Sequence, residues 1–202
     1  MIRGYSSQAG RLVKVEASSE NLKDLVWIDL VNPSDEEEAK LEQQLEIGIP
    51  TRDEMEEIEI SSRLYQEDGA VFMTAILPAH ADGDEPDMQP VSFVLSGPHL
   101  ITVRYHEPRA FQTFPQRAAK VAMGVETGEG VLIALLEAIV DRLADILERA
   151  GRDIDEVSRN IFRRQDGPPT QARDFQATLD AIGRKGDLMS HIRDSLVTLD
   201  RL

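Results

Sequence analysis

Residues 128–164, GEGVLIALLEAIVDRLADILERAGRDIDEVSRNIFRR, limit the fold more than any other part of this 202-residue chain. Apolar or small residues recur at Leu132, Leu136, Ile139, Leu143, Ile146, Ala150, Ile154, Val157 and Ile161. The steps are all of three or four residues and average close to the ~3.6-residue turn of an α-helix. A strict ~3.5 repeat would predict a coiled coil; the drift seen here predicts a helix lying on a flat neighbour. At a rise of ~1.5 Å per residue it would reach roughly 50 Å, longer than a compact domain of this size needs. Such a helix reaches towards something beyond its own domain.

Gln165-Asp166-Gly167-Pro168-Pro169 stops the helix, and Thr170 can cap another. The second helix carries Phe175, Leu179, Ile182, Met189, Ile192, Leu196 and Leu199, so the two are expected to pack as an antiparallel hairpin. Gly183 and Gly186 lie within it and either permit close helix approach or mark a weak point. The pattern runs up to Leu202 without Gly, Pro or a polar cap, which reads as a chain that continues in the natural protein.

The first 124 residues mix strand and helix signals. Residues 2–5 and 11–15 are short strand candidates, and Val26-Trp27-Ile28-Asp29-Leu30 reads as a buried strand with the only Trp of the chain as core anchor. Ser34 with Glu37 and Thr51 with Glu54 are capping boxes. They open a helix through Leu41 and Leu45 that stops near Gly48, and a short acidic helix through Met55 and Ile58. Asp68-Gly69 predicts a hairpin between residues 63–67 and 70–77. Residues 78–89 read as an acidic loop, and residues 90–96 and 99–105 as a second hairpin around Gly97-Pro98. A helix over Phe111, Phe114, Ala118, Val121 and Ala122 is expected to break or restart at Pro115. The fold class is therefore α+β with α/β/α layering. A mixed, largely antiparallel sheet is flanked by helices in residues 1–124, and a long antiparallel helical hairpin follows in residues 125–202.

The chemistry of the chain narrows its function by exclusion. Its net charge of −15 repels nucleic-acid phosphates and anionic lipid head groups, and attracts cations. No cysteine is present, so disulfides and thiolate metal sites are ruled out. The opening MIRGYSSQAG has no apolar core for a secretory signal, and no apolar run is long enough for a transmembrane helix. The four histidines are scattered, and G-x-S-x-G, G-x-x-x-x-G-K-[ST] and G-x-G-x-x-G are all missing. The chain reads as a non-enzyme. Glu54, Glu56, Glu57 and Glu59 crowd the short helix, a run that reads as a solvated face. On the long helix Asp145/Arg149, Glu148/Arg152 and Asp155/Arg159 are spaced as i,i+4 pairs.

Several stretches, taken in order, resemble the N-terminal part of the CorA-type divalent-cation transporter family, ZntB-like members included. They are Trp27-Ile28-Asp29-Leu30 with Pro33-Ser34-Asp35-Glu36-Glu37, Gly48-Ile49-Pro50-Thr51 with its acidic helix, and Arg63-Leu64-Tyr65 with Phe72-Met73. Val91–Leu95, Leu100–Arg104, Leu132–Asp141, Asp153–Val157 and Ile161-Phe162 complete the set. The resemblance implies the regulatory, cation-sensing cytoplasmic part of a Mg2+ transporter, Co2+ and Zn2+ being the family's other cations. It implies a homopentamer on the cytoplasmic side of the inner membrane, gated by divalent ions bound weakly between subunits. In the full family pattern a stalk helix, two transmembrane helices and a Gly-Met-Asn motif follow. One interfacial carboxylate lies on the short helix after the G-I-x-P stretch; its match here is Glu57, or Glu56 if the register shifts by one. The alternative reading is a free-standing α/β protein whose helical hairpin is a protein-interaction arm.

Overall fold

The computed structural model describes residues 1–18, 21–57, 63–83, 85–163 and 172–202. Its centre is a seven-stranded sheet, and its first hairpin joins β1 (Ile2–Gln8) to β2 (Arg11–Val15). The turn Ala9-Gly10 has positive φ at both residues. β3 (Trp27–Val31) is buried along its whole length, as its unbroken apolar run requires of a central strand. β4 (Leu64–Glu67) and β5 (Ala70–Ala79) turn at Asp68-Gly69, with φ of 49° and 79°, the two positive angles of a type I′ hairpin. β6 (Asp87–Ser96) and β7 (His99–Arg104) form the next hairpin. The strand order is β2-β1-β3-β7-β6-β5-β4; β3 and β7 run parallel and every other neighbouring pair antiparallel.

Helices cover both faces. α1 (Asp35–Leu45) and α2 (Arg52–Glu56) open on their capping boxes and pack Leu41 and Met55 against Ile28, Leu30, Val94, Ile101 and Val103. The opposite face takes α3 (Arg109–Ala118), α4 (Gly128–Arg163) and α5 (Ala172–Leu199) over Tyr5, Trp27, Phe93 and Leu100. Neighbouring residues of a strand point to opposite faces, so Trp27 and Ile28 serve different cores. α4 meets the sheet at close range. A Cβ on Gly128 would lie 2.4 Å from the backbone of His99 and Leu100, and its N–H donates to the Pro98 carbonyl at 2.8 Å. Along α4 the expected stripe is buried at Leu132, Ile139, Leu143, Ile146 and Ala150, while Leu136, Ile154 and Val157 are half-buried. α5 returns beside it: Lys185 pairs with Asp153, and Leu188 and Ile192 join the α4 core. Near its end, the backbone N–H of Ile76 donates to Thr198 Oγ1 at 3.1 Å, tying α5 to β5.

A polar ladder runs through the α3-covered face. The Trp27 indole N–H donates to Thr102 Oγ1 at 3.0 Å, and that hydroxyl donates to Asp29 at 2.9 Å. Arg104 grips the same carboxylate with Nε at 2.9 Å and Nη2 at 2.8 Å, while its Nη1 reaches the His106 carbonyl and Glu107. Arg3 closes the ladder on Glu107 at 2.8 Å. Asp29 and Arg104 are fully buried, which only such complete pairing allows. The Arg104 guanidinium also lies over the Phe111 ring at 4.7 Å.

Five local expectations change. The acidic loop shrinks to residues 80–86, because β5 and β6 continue through Pro78 and Pro90. Thr74 and Ile76 direct their N–H groups to Arg63 and Thr198, away from β6. Pro78 shares that phase of β5, and Pro90 stands opposite Ile76, so neither proline removes a β5–β6 ladder bond. Pro115 lies inside an unbroken α3, held by the buried Phe111 and Phe114; Val121 and Ala122 fall beyond its end and are exposed. α1 ends with Glu46 in the left-handed region (φ 57°), two residues before Gly48. α2 stops at Glu56, short of Ile58, which lies with Glu59 outside the described residues. Arg149 turns from Asp145 to Asp82 and the Ala81 carbonyl; the Glu148/Arg152 pair forms, at 3.4 Å. Thr170 also lies outside the described residues.

Candidate cation site on the short acidic helix

α2 holds the two glutamates singled out above. Thr51 caps it: its hydroxyl accepts from Glu54 N–H, and Glu54 Oε2 accepts from Thr51 N–H at 2.8 Å. The helix lasts five residues, and its C-cap Glu57 has extended ψ, so the chain turns away from the axis there. This separates the pair. Glu56 closes on Arg52 at 2.9 Å, and Arg52 in turn sits over the Tyr105 ring at 5.1 Å. That phenol donates to Glu38 and is pushed up to about 12, first by burial and then by the Glu38 carboxylate.

Glu57 lines a different place, a cleft of about 300 Å3 shared with Pro50, Glu54, Tyr65, Glu67 and Thr74. Burial raises the Tyr65 phenol, and the charges of Glu54, Glu67 and Glu57 raise it further. The same ring stacks on Phe72, with centroids 4.7 Å apart. Glu67 and Tyr65 escaped the sequence reading. Their signal was the two-residue alternation of β4, which puts Tyr65 opposite Phe72 and Glu67 opposite Ala70. Glu54 is committed to the cap of α2, and Glu57 and Glu67 are the other carboxylates of the cleft. Among the described residues no three His, Asp or Glu side chains converge as a complete metal cage.

A family model described as CorA-like Mg2+ transporter protein matches residues 23–182. The chain belongs to the CorA-like Mg2+ transporter family. Its sequence is 28% identical to a magnesium transport protein CorA of Pasteurella multocida over the whole chain, covering 62% of that protein. It is 29% identical to CorA of Escherichia coli K12 over 187 residues, 92% of the chain and 59% of the relative. The chain thus spans about three fifths of the length of these curated relatives.

The fold agrees. The soluble domain of CorA from Methanocaldococcus jannaschii aligns with 99% of this chain and 94% of its own, with a TM-score of 0.63 at 15% identity. The ZntB cytoplasmic domain from Vibrio parahaemolyticus aligns with 98% of the chain and 93% of its own, with a TM-score of 0.55 at 12% identity. The α+β, α/β/α fold expected from the sequence is therefore that of the CorA soluble domain. Members of this family are transporters. Among the described residues of this CorA-family chain, no helix is long and apolar enough to cross a membrane.

Proposed function

We propose that this chain is the cation-sensing, cytoplasmic-side part of a CorA-type Mg2+ transporter, with Co2+ or Zn2+ as the alternative cargo. In this reading residues 1–124 sense the ion and the hairpin of residues 125–202 carries the signal towards a membrane pore. The whole protein is a homopentamer at the inner membrane, and Mg2+ held by Glu57 at the contact between neighbouring copies favours the closed arrangement. Glu56 takes the lesser part, because Arg52 already satisfies it.

The observation that carries the reading is the match to the family over residues 23–182. The cleft supports its ionic side, since Glu57 lines it with Glu54, Glu67 and Tyr65 and a neighbouring copy can supply further oxygens. Subunits that each carry −15 repel one another, and a bridging dication offsets that repulsion. An ion shifts the equilibrium only by its difference in affinity between the two arrangements.

The test is thermal melting of the chain and of Glu57→Gln with millimolar Mg2+ and with micromolar Zn2+. The wild type is expected to melt several degrees higher with the ion, and E57Q to lose most of that shift. A wild type indifferent to every divalent ion removes Glu57 from the sensing role. A native reading frame that lacks two apolar segments of ~20 residues downstream removes the transporter reading itself. The rival interaction-arm protein predicts a metal-independent dimer through residues 130–202 in light scattering.

A further inference from the structure

The β5–β6 loop has no part in that reading, yet it meets both long helices where they leave the body of the protein. On α4 the buried stripe ends at Ala150, and on α5 the first buried residue is Leu188. No residue of 151–159 or of 176–187 is buried. Residues 151–163 carry the hairpin about 20 Å beyond Ala150, at ~1.5 Å per residue. Just past this level Lys185 pairs with Asp153, so the two helices project together. The loop is wedged at their root. Ala81 is buried in the core, and its carbonyl accepts from Arg149, the neighbour of Ala150. Asp82 accepts from Arg142 at 2.7 Å and Arg149 at 3.0 Å, both on α4, and from Arg109 at 3.1 Å, at the start of α3. On the other side Glu85 and Pro86 line a cleft with Asp187, His191 and Asp194 of α5, at the level of Leu188.

We propose that the β5–β6 loop is a clasp that fixes the direction of the projecting hairpin, and that Asp82 is its ionic release. Three guanidiniums converge on one carboxylate, and Asp141 and Asp145 line the groove beside them, so the local charge is largely balanced. The convergence is a mechanical tie: a single side chain joins the sheet loop to the first turn of α3 and to two turns of α4. α3 is the fixed side, seated in the core by Phe111 and Phe114. The carboxylate is the soft member of the tie. Asp82 is 62% exposed, against 19% for Arg142 and 30% for Arg149. Salt screens such an exposed network but leaves the apolar contacts of α4 in place. Screening or neutralising Asp82 therefore keeps α4 seated as far as Ala150 and lets the part beyond it pivot. A tilt of about 10° at the root moves a point about 20 Å out by roughly 3 Å. The clasp works in this way whether or not Glu57 binds an ion.

The test measures the distance between the projecting hairpin and the sheet. The chain has no cysteine, so Lys14→Cys on β2 and Glu156→Cys on α4 carry two spin labels without background. Both positions are exposed and neither belongs to the clasp. Double electron–electron resonance on the labelled 202-residue chain at low salt is expected to give one narrow distance distribution. Asp82→Asn and Arg142→Gln should each broaden it at least twofold. Molar NaCl should broaden the parent to the same extent and add nothing to D82N. Arg152→Gln, which breaks an exposed pair within α4 alone, is the control and should leave the distribution as it is. A tie that only stabilises the fold would lower the melting temperature of D82N and leave the distances unchanged, and that result overturns the proposal. Broadening by R152Q equal to that of D82N, or by salt equal in the parent and in D82N, overturns it as well.

Discussion

Asp29 and Arg104 are the pair on which the α3-covered core depends. Both are fully buried, and Asp29 accepts from Thr102 once and from Arg104 twice across the β3–β7 pair. Removing one partner strands the other in an apolar setting, so Arg104→Met should cost about 3–5 kcal/mol in urea unfolding. Asp29→Asn in the R104M background should recover part of that loss, since no bare charge then remains. His106 makes a second prediction at this scale. Its Nε2 lies 2.8 Å from the Leu77 carbonyl and therefore carries the proton, while Nδ1 is buried without a partner among the described residues. Burial lowers its pKa, and the Leu77 bond only partly opposes that. The unfolded chain thus binds a proton that the folded chain refuses. This contribution to stability is complete above about pH 6.5 and is lost as pH falls towards the depressed folded value. Unfolding free energies measured from pH 7.5 to 5.5 should fall with acid, and His106→Gln should flatten that part of the slope.

The helices set the next scale, where local rules were legible and exceptions came from packing. Both capping boxes, the Asp-Gly turn and the α4 stripe followed from residue types alone, because each depends on neighbours within one turn. Pro78 and Pro115 misled for the same reason in reverse. The missing N–H of Pro78 would point away from β6, and the one i→i−4 bond that Pro115 removes from α3 is offset by the burial of Phe111 and Phe114, contacts that lie elsewhere in the chain. Arg149 likewise had a good helical neighbour in Asp145, yet the Asp82 loop claimed it. The cleft beside Glu57 was half legible: the acidic helix announced itself, but Tyr65 and Glu67 joined it only through the register of β4. The glycines divide cleanly. On α5, a Cβ at Gly183 or Gly186 would meet nothing within 4 Å, so Gly186→Ala should stabilise the isolated chain by about 0.5–1 kcal/mol. Gly128→Ala should instead destabilise it, because the added carbon meets main chain at 2.4 Å. Thermal melts of the two variants should move in opposite directions.

Across the whole molecule the −15 charge is the dominant field. The self-repulsion of this excess should yield to screening. Raising NaCl from 20 to 200 mM, about a threefold shortening of the Debye length, should raise the melting temperature by a few degrees. MgCl2 at matched ionic strength should raise it further in wild type than in E57Q. The excess separates bound ion from atmosphere, a distinction that a single salt series does not make.

The parallel pairing of β3 with β7 also fixes a timetable. β3 is complete at Val31, but its central partner does not begin until His99, so the middle of the sheet cannot close until that strand exists. A ribosome adding ~5–20 residues per second leaves the first strands waiting several seconds for β7. During that interval the β1–β2 hairpin can form, but the apolar edge of β3 stands open. α4 and α5, which roof the same face, arrive later still. β3 is therefore most exposed in the stretch of synthesis before α4 and α5 are made, and that interval is set by the order of the chain and not by the stability of the finished fold.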